Sequence, residues 1–320
     1  MTTIITGVAG FLGSHLAKEL LAKGKNVVGL DNFSTGTQRN IEPLLAHPQF
    51  TFIQYDVSEP TVVDLPELQL ATEIYHLASP ASPKFYQATP FETIAVNTIG
   101  TSNMLELARR SHAKLLYTST SEIYGDPELH PQPESYRGNV NTWGPRACYD
   151  EAKRLGEVYC YEYYHRYGVP VRVARIFNTY SDGLRNDDGR VISNFVTQAI
   201  TGEDITVYGD GSQTRSFCYV SDNIRALQLM MEKEEAVGQV INVGNAREYP
   251  IIEVAHMVKL LAESDSRITF HPLPADDPKV RRPVLDKAKE ILGWEPEVSL
   301  EEGLKRTIVA YRDNLALQRQ

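Results

Sequence analysis

The chain has 320 residues, 42% of them hydrophobic and 23% charged, with 21 glycines and 18 prolines. At roughly 150 residues per domain this is about two domains with a sizeable core, and the balance excludes collagen-like, low-complexity and disordered classes. Its 32 basic and 41 acidic residues leave a net charge of −9, a field that repels nucleic acid and anionic membranes while still allowing one local basic pocket.

The first residues, MTTIITGVAGFLGSHL, lack a basic leader and run directly into glycine-rich sequence. They read as the first strand of a fold rather than a signal peptide. Strands are predicted at Thr3–Thr6, Asn26–Asp31, Phe50–Val57, Glu73–Ser79, Lys114–Thr120 and Val171–Asn178. Helical spacing appears at Gly13–Lys23, Phe91–Ser111 and Tyr149–Tyr167. Strands interleaved with helices imply right-handed crossovers and an α/β, doubly wound parallel sheet of Rossmann type. After Asn178 come a polar stretch to Arg190, a helix at Val191–Thr201, a strand and turn in ITVYGDGSQ, a helix at Asp222–Lys233 and a strand in GQVINVG. Helices at Ile252–Ala262 and Leu300–Asp313 flank a basic, proline-containing segment, His271–Pro283. The expected organisation is a cofactor domain over 1–178, rejoined by 216–244, and a smaller mixed α/β substrate domain over 179–215 and 245–320. No apolar run approaches the ~20 residues of a membrane helix. Cys148, Cys160 and Cys218 form no C-x-x-C pair, which argues against a disulfide framework or structural zinc and fits a reducing, cytoplasmic setting. The eight histidines have no metal-ligand spacing, and no metal is expected.

Gly7-Val-Ala-Gly10-Phe-Leu-Gly13 lies between the first strand and the first helix. Glycines there permit a tight turn and close approach of a pyrophosphate to the helix start. Alone the pattern is weak, because glycine-rich turns are common. The strand–turn–helix context and Asp31 at the end of the second strand strengthen it. A carboxylate there accepts from ribose hydroxyls and repels a 2′-phosphate, which favours NAD over NADP. Asp56-Val57 ends the third strand at the same edge, where an ordinary strand-end acid is an equally good reading.

Tyr149 and Lys153 stand at i and i+4, on one face of a helix. An adjacent ammonium is expected to favour phenolate and bring tyrosine into range as a base. By itself the pair reads as surface residues. Its position after the glycine turn and after the hydroxyl-rich Thr118-Ser-Thr120-Ser121-Glu122 argues for catalysis.

The stretches GVAGFLGSHL, DNFSTG, HLASPASP, TSTSEIYGDP, GPRACYDEAKR, RIFNTY, DGRVISNF, VYGDGSQTRSFCYVSD and LGWEP span essentially the whole chain. Together they resemble the extended short-chain dehydrogenase/reductases that act on nucleotide sugars, and within them the UDP-glucuronic acid decarboxylase group. The resemblance implies NAD as cofactor, held by the glycine turn with Phe11 and Leu12, by Asp31, Asn32, Asp56 and Val57, and by Leu77, Ala78, Ser79, Asn97, Tyr149 and Lys153. It implies Thr120, Tyr149 and Lys153 as the catalytic set, with Ser121 and Glu122 beside them. Related 4,6-dehydratases carry an acid at the position of Ser121, and plain 4-epimerases usually lack the acid at Glu122, so Ser121-Glu122 points to decarboxylation. A UDP-sugar substrate is implied near Asn178, Arg190 and Val191, with Arg215 and Arg281 at the phosphate-binding positions, Arg215 a further candidate for the substrate carboxylate, and Tyr208 and Gln213 toward the uridine. A homodimer through a four-helix bundle of the Phe91–Ser111 and Tyr149–Tyr167 helices is also implied. The tyrosine stripe Tyr161, Tyr163, Tyr164 and Tyr167 and Trp294 of LGWEP read as packing residues, and Arg282 as solvated.

The chain departs from the family pattern at Ser181-Asp182-Gly183, Lys84, Arg137 and Val284. Asp182, Asp187 and Asp188 add negative charge near the expected anionic substrate. These changes leave a UDP-sugar 4-epimerase or 4,6-dehydratase open as the alternative. A non-catalytic NAD-binding regulator is a third reading, disfavoured by the intact Thr120, Tyr149 and Lys153.

Overall fold

The computed structural model describes residues 2–273 and 280–318; residues 274–279, within the predicted basic segment His271–Pro283, lie outside them. The β-branched run Thr2–Thr6 (β1) forms an inner strand of a seven-stranded sheet. Asn26–Asp31 (β2) and Phe50–Gln54 (β3) extend it to one side. Ala71–His76 (β4), Lys114–Thr120 (β5), Val171–Ile176 (β6) and Val240–Val243 extend it to the other. All neighbours are parallel, with Ile4 opposite Val28 on one side and Ile74 on the other. Ile4, Ile74, Leu115 and Leu116 are fully buried. A sheet covered on both faces needs such near-continuous apolar runs. The chain order reverses between β1 and β4, which opens a crevice at the carboxyl ends of the strands.

The first helix, Phe11–Ala22 (α1), begins two residues before its predicted start. Gln38–Leu45 (α2) was not anticipated, since it contains Pro43 and lacks a side-chain cap. Pro83–Ala88 (α3) is a further short helix beyond β4. The predicted Phe91–Ser111 helix is interrupted. Pro90–Ala95 (α4) passes through a single π turn, Val96–Gly100, into Thr101–Ser111 (α5). The Asn97 amide in that turn donates to the Thr93 carbonyl at 2.8 Å. Ala147–Tyr167 (α6) follows a long loop and ends at Gly168 in a left-handed conformation.

In the second half, Val191–Thr201 (α7) leads to three two-stranded pairings: Ile205–Tyr208 with Ile268–His271, Thr214–Ser216 with Glu248–Pro250, and Thr179–Tyr180 with Cys218–Tyr219. Val220–Glu232 (α8) and the strand Val240–Val243 return to the large sheet, while Ile251–Leu261 (α9) and Leu300–Gln318 (α10) pack on α7. One apolar cluster runs from Ile5 and Leu16 through Phe195 and Ile224 to Trp294 and Tyr311. Trp294 is fully buried, and its indole N–H donates to the Asp222 carbonyl at 3.0 Å. Among the described residues no helix is long and apolar enough to cross a membrane, no His/Cys/Asp/Glu group is arranged to hold a metal, and the three cysteines are free.

Candidate active site

The glycine turn is a cradle that side chains would fill. A Cβ on Gly7, which has φ +71°, would sit 2.8 Å from the Ala78 Cα, and one on Gly13 would sit 2.2 Å from the Gly7 carbonyl. The Gly10 amide donates to Gly7 at 3.0 Å, and the Gly10 carbonyl accepts from Ser14 at 3.1 Å. α1 has neither a side-chain cap nor an acid in its first turn, so the amides around Phe11 and Leu12 face the crevice as an anion site. Asp31 ties this turn to the end of β2. Its carboxylate accepts from the Ala9 amide at 2.9 Å and the Phe33 amide at 2.8 Å. Burial raises its pKa against those hydrogen bonds. Asn32 donates to Asp56 at 2.8 Å, and Ser58 also donates to Asp56. Burial pulls the Asp56 carboxyl up, but the Ser58 and Asn32 bonds carry it below its ordinary value. Val57 is buried against Gly100. The Leu77 and Ala78 amides donate to the Thr6 hydroxyl at 3.1 and 3.2 Å, and Ser79 follows at the mouth of the crevice. Asn97 is fully buried, with its Oδ1 unpartnered among the described residues. A cradle closed to any Cβ, an uncapped helix start and a strand-end carboxylate fit a dinucleotide such as NAD.

Across the crevice, β5 ends at Thr120, whose hydroxyl accepts from the Glu122 amide at 3.2 Å and hydrogen-bonds the Tyr149 phenol. Lys153, one turn along α6, donates to the Thr118 carbonyl at 2.7 Å and lies 5.9 Å from the Tyr149 ring centroid. Burial lowers the Lys153 pKa to about 7. The expected lowering of the tyrosine does not appear. Burial pushes the Tyr149 phenol well up, Glu122 and Asp150 add to the rise, and Thr120 and Arg190 only partly oppose it. The i,i+4 spacing is as predicted, but both groups are removed from water, and desolvation is the largest cause of each shift.

Glu122 is gripped by two guanidinium groups, Arg146 and Arg281. Burial raises its carboxyl, and the two arginines outweigh that and hold it down at about 2. Arg281 also donates to the Gly125 carbonyl at 3.0 Å and is 3% exposed. It faces Glu122 and also lines the cleft in which the resemblance places it as a phosphate-binding residue. Arg190 caps α7 and grips Asp188 with two nitrogens, Nη2 at 3.0 Å. Two of the three aspartates expected near the substrate are therefore paired with cations. Asp188 belongs to Arg190, and Asp187 pairs with Lys84 at 2.8 Å and Arg185 at 2.9 Å. Asp182 accepts from Ser181 at 2.6 Å. Two other departures act through their backbone: the Arg137 carbonyl accepts from Arg154 at 2.8 Å, and the Val284 amide donates to the Gln132 carbonyl at 2.9 Å.

A cleft of about 570 Å³ joins these groups, running from Leu12 and Leu77 past Thr120, Ser121, Glu122 and Tyr149 to Asn178, Arg190 and Val191, and on to Tyr208, Gln213 and Arg215. Gln213 donates to the Tyr208 carbonyl at 2.7 Å and Arg215 to the Thr214 carbonyl at 2.9 Å, so both stand on strand-end backbone. A more open hollow of about 680 Å³ lies at the carboxyl ends of α7 and α9 and contains none of these residues.

Three residues of the site went unnoticed in the sequence. Tyr86, on α3, stacks flat on Tyr149 with centroids 4.9 Å apart and planes 4° apart. It is fully buried, and its hydroxyl has no partner among the described residues. Arg146 is the second partner of Glu122. Asp150, next to Tyr149, is 5% exposed with Oδ1 unpartnered among the described residues. Burial, with Glu122 next, raises its carboxyl to about 8. Tyr86 lies far from Tyr149 along the chain, and only packing brings the two together.

A family model described as GDP-mannose 4,6 dehydratase matches residues 4–307. The chain is 51% identical over 315 residues to UDP-glucuronic acid decarboxylase 1 of Danio rerio, covering 98% of this chain and 73% of that protein. It is 50% identical over 305 residues to UDP-glucuronic acid decarboxylase 6 of Arabidopsis thaliana, covering 95% and 87%. Among solved structures it is similar to the UDP-glucuronic acid 4-epimerase of Bacillus cereus in complex with UDP-glucuronic acid and NAD. That match has a TM-score of 0.88 and 28% identity, and covers 98% of this chain and 100% of that one.

Proposed function

The chain belongs to the GDP-mannose 4,6 dehydratase family, and from that premise we propose that it is an NAD-dependent carboxy-lyase that converts UDP-glucuronate to UDP-xylose through a 4-keto intermediate. The observation that carries this reading is Glu122, held ionised between Arg146 and Arg281 beside Thr120 and Tyr149. The 51% and 50% identities with two decarboxylases support it. The 28% identity with a 4-epimerase supports the alternative less.

Held by the glycine turn, Asp31 and the Lys153 face of α6, NAD would supply the hydride acceptor and later donor for C4, and a cationic ring that favours Tyr149 as phenolate. Tyr149 takes the 4-hydroxyl proton, and Thr120 hydrogen-bonds the same oxygen. Lys153 anchors this face of α6 to the end of β5 through the Thr118 carbonyl. With a ketone at C4, the substrate is a β-keto acid. The C5–C6 bond breaks, carbon dioxide leaves, and the electron pair passes to the C4 oxygen, where Tyr149 and Thr120 donate to the enolate. A water molecule in the cleft then delivers a proton to C5, leaving hydroxide that solvent neutralises. Return of the hydride to C4 and of the proton from Tyr149 completes the pentose. Glu122 occupies both guanidinium groups, so neither clamps the departing carboxylate as an anion. Ser121 lacks the acidity to expel a hydroxyl as water. Asn178, Arg190, Val191, Tyr208, Gln213 and Arg215 form the nucleotide end of the cleft.

The protein acts as a homodimer in this reading. Phe91 and Ile99 on one helical stretch and Val158 and Tyr161 on α6 are exposed apolar residues suited to a four-helix bundle. Free cysteines accord with a cytoplasmic setting. Tyr149→Phe should retain NAD and lose turnover by ~100-fold or more; near-normal turnover would overturn the assignment.

A further inference from the structure

Residues 182–190 touch both rims of the crevice. On one rim the Asn40 amide of α2 donates to the Gly183 carbonyl at 2.9 Å and, with the same nitrogen, to the Ala9 carbonyl of the glycine turn at 3.0 Å. His15 of α1 hydrogen-bonds the Asp182 carbonyl at 3.2 Å, and Leu184 joins the core cluster that contains Phe11. On the other rim, before and within α3, Ser82 donates to the Asp188 carbonyl. Lys84 reaches both the carbonyl and the carboxylate of Asp187 at 2.8 Å. The segment therefore joins α1 and α2 to α3, and its Leu184, Gly189 and Arg190 line the same cleft as Phe11, Leu12, Leu77 and Ser79. It ends in Asp188, which braces Arg190 at the start of α7.

We propose that residues 182–190 are a strap latched across the NAD crevice by Asn40 on one rim and by Ser82 and Lys84 on the other, so that bound NAD leaves only when the strap lifts. The proposal rests on the reading of the crevice as an NAD site. It gives a place to two departures from the family pattern, because Lys84 is a latch and Asp182-Gly183 begin the strap. It also makes Asn40 a positioning residue that joins the strap to the glycine turn without entering the reaction.

The test is the rate of NAD loss from the purified holoprotein, with released NAD trapped by an alcohol dehydrogenase reaction. Thermal midpoints of the same samples separate latch effects from unfolding. Asn40→Ala removes two neutral hydrogen bonds and should speed release by about tenfold. Ser82→Ala combined with Lys84→Ala removes the Ser82 bond to the Asp188 carbonyl, the Lys84 bond to the Asp187 carbonyl and an exposed ion pair, without touching the glycine turn, and should speed release by about fivefold. Release at the wild-type rate from both variants overturns the strap. So does faster release from Asn40→Ala alone, which would assign the effect to the glycine turn. A protein that retains NAD through these latches but makes no pentose would leave the strap standing and remove the decarboxylase reading.

Discussion

Replacing Glu122 by glutamine removes one negative charge from between two arginines whose side chains are 12% and 3% exposed. Breaking a buried ion pair by removing one partner costs about 3–5 kcal/mol. Glutamine keeps a neutral acceptor, so the lower end, about 3 kcal/mol, is the expected loss. For a chain of 320 residues, with an unfolding entropy of about 2.1 cal/mol/K per residue, that is a fall of roughly 4–5 °C in thermal midpoint. The same change frees Arg146 and Arg281 to grip the substrate carboxylate. A charge-assisted hydrogen bond of about 1.5–3 kcal/mol corresponds to roughly tenfold or more in affinity. It stabilises the carboxylate rather than the state that loses carbon dioxide, so KM should fall while kcat falls further. The assay is steady-state kinetics with UDP-glucuronate, together with the mass of the nucleotide product. Products that keep the carboxylate should rise relative to the pentose. An unchanged thermal midpoint would refute the stability argument. A raised KM with the product ratio unchanged would refute the role given to Glu122.

The buried carboxyl of Asp150 gives a pH prediction. It keeps its proton in the fold to about pH 8 but releases it near pH 3.8 when unfolded. The native state binds more protons across that window, so this group makes stability fall as pH rises through it. Asp150→Asn should therefore shift the thermal midpoint, relative to wild type, more favourably at pH 9 than at pH 5; equal shifts at both would contradict the assignment. The exposed face of α6 gives a second prediction. Val158→Asp places a charge on a 52% exposed apolar position, and sedimentation should show the dimer converted to monomer. A wild-type monomer, or a variant that stays dimeric, would dismiss the bundle interface.

Local chemistry was legible where one short segment carries it. β5 and α7 begin and end where the sequence predicts, at Lys114–Thr120 and Val191–Thr201. β5 stops at Thr120, where the chain turns into a 3₁₀ turn, and α7 stops at Gly202, which takes a left-handed conformation. The glycine turn and the Tyr149–Lys153 pair are likewise set by spacing alone. What was not legible is assembled from distant segments. Tyr86 reaches Tyr149 only because α3 folds over α6, and Arg146 and Arg281 converge on Glu122 from a loop and from the other half of the chain. The sign of the Tyr149 shift was missed for the same reason: spacing reports the neighbouring ammonium but not the burial that is the largest cause of the shift. The extra aspartates looked like an unbalanced charge until Lys84, Arg185 and Arg190 were seen beside them.

The overall charge of −9 is no guide to the site, where cations from both halves of the chain converge on one cleft. The most direct measurement is the mass of the sugar nucleotide formed when the purified protein meets UDP-glucuronate, with and without added NAD. The account predicts a UDP-pentose, lighter by the carboxyl group, with carbon dioxide released in equal amount. An unchanged mass with C4 inverted, a loss of water, or no turnover under either condition would contradict it.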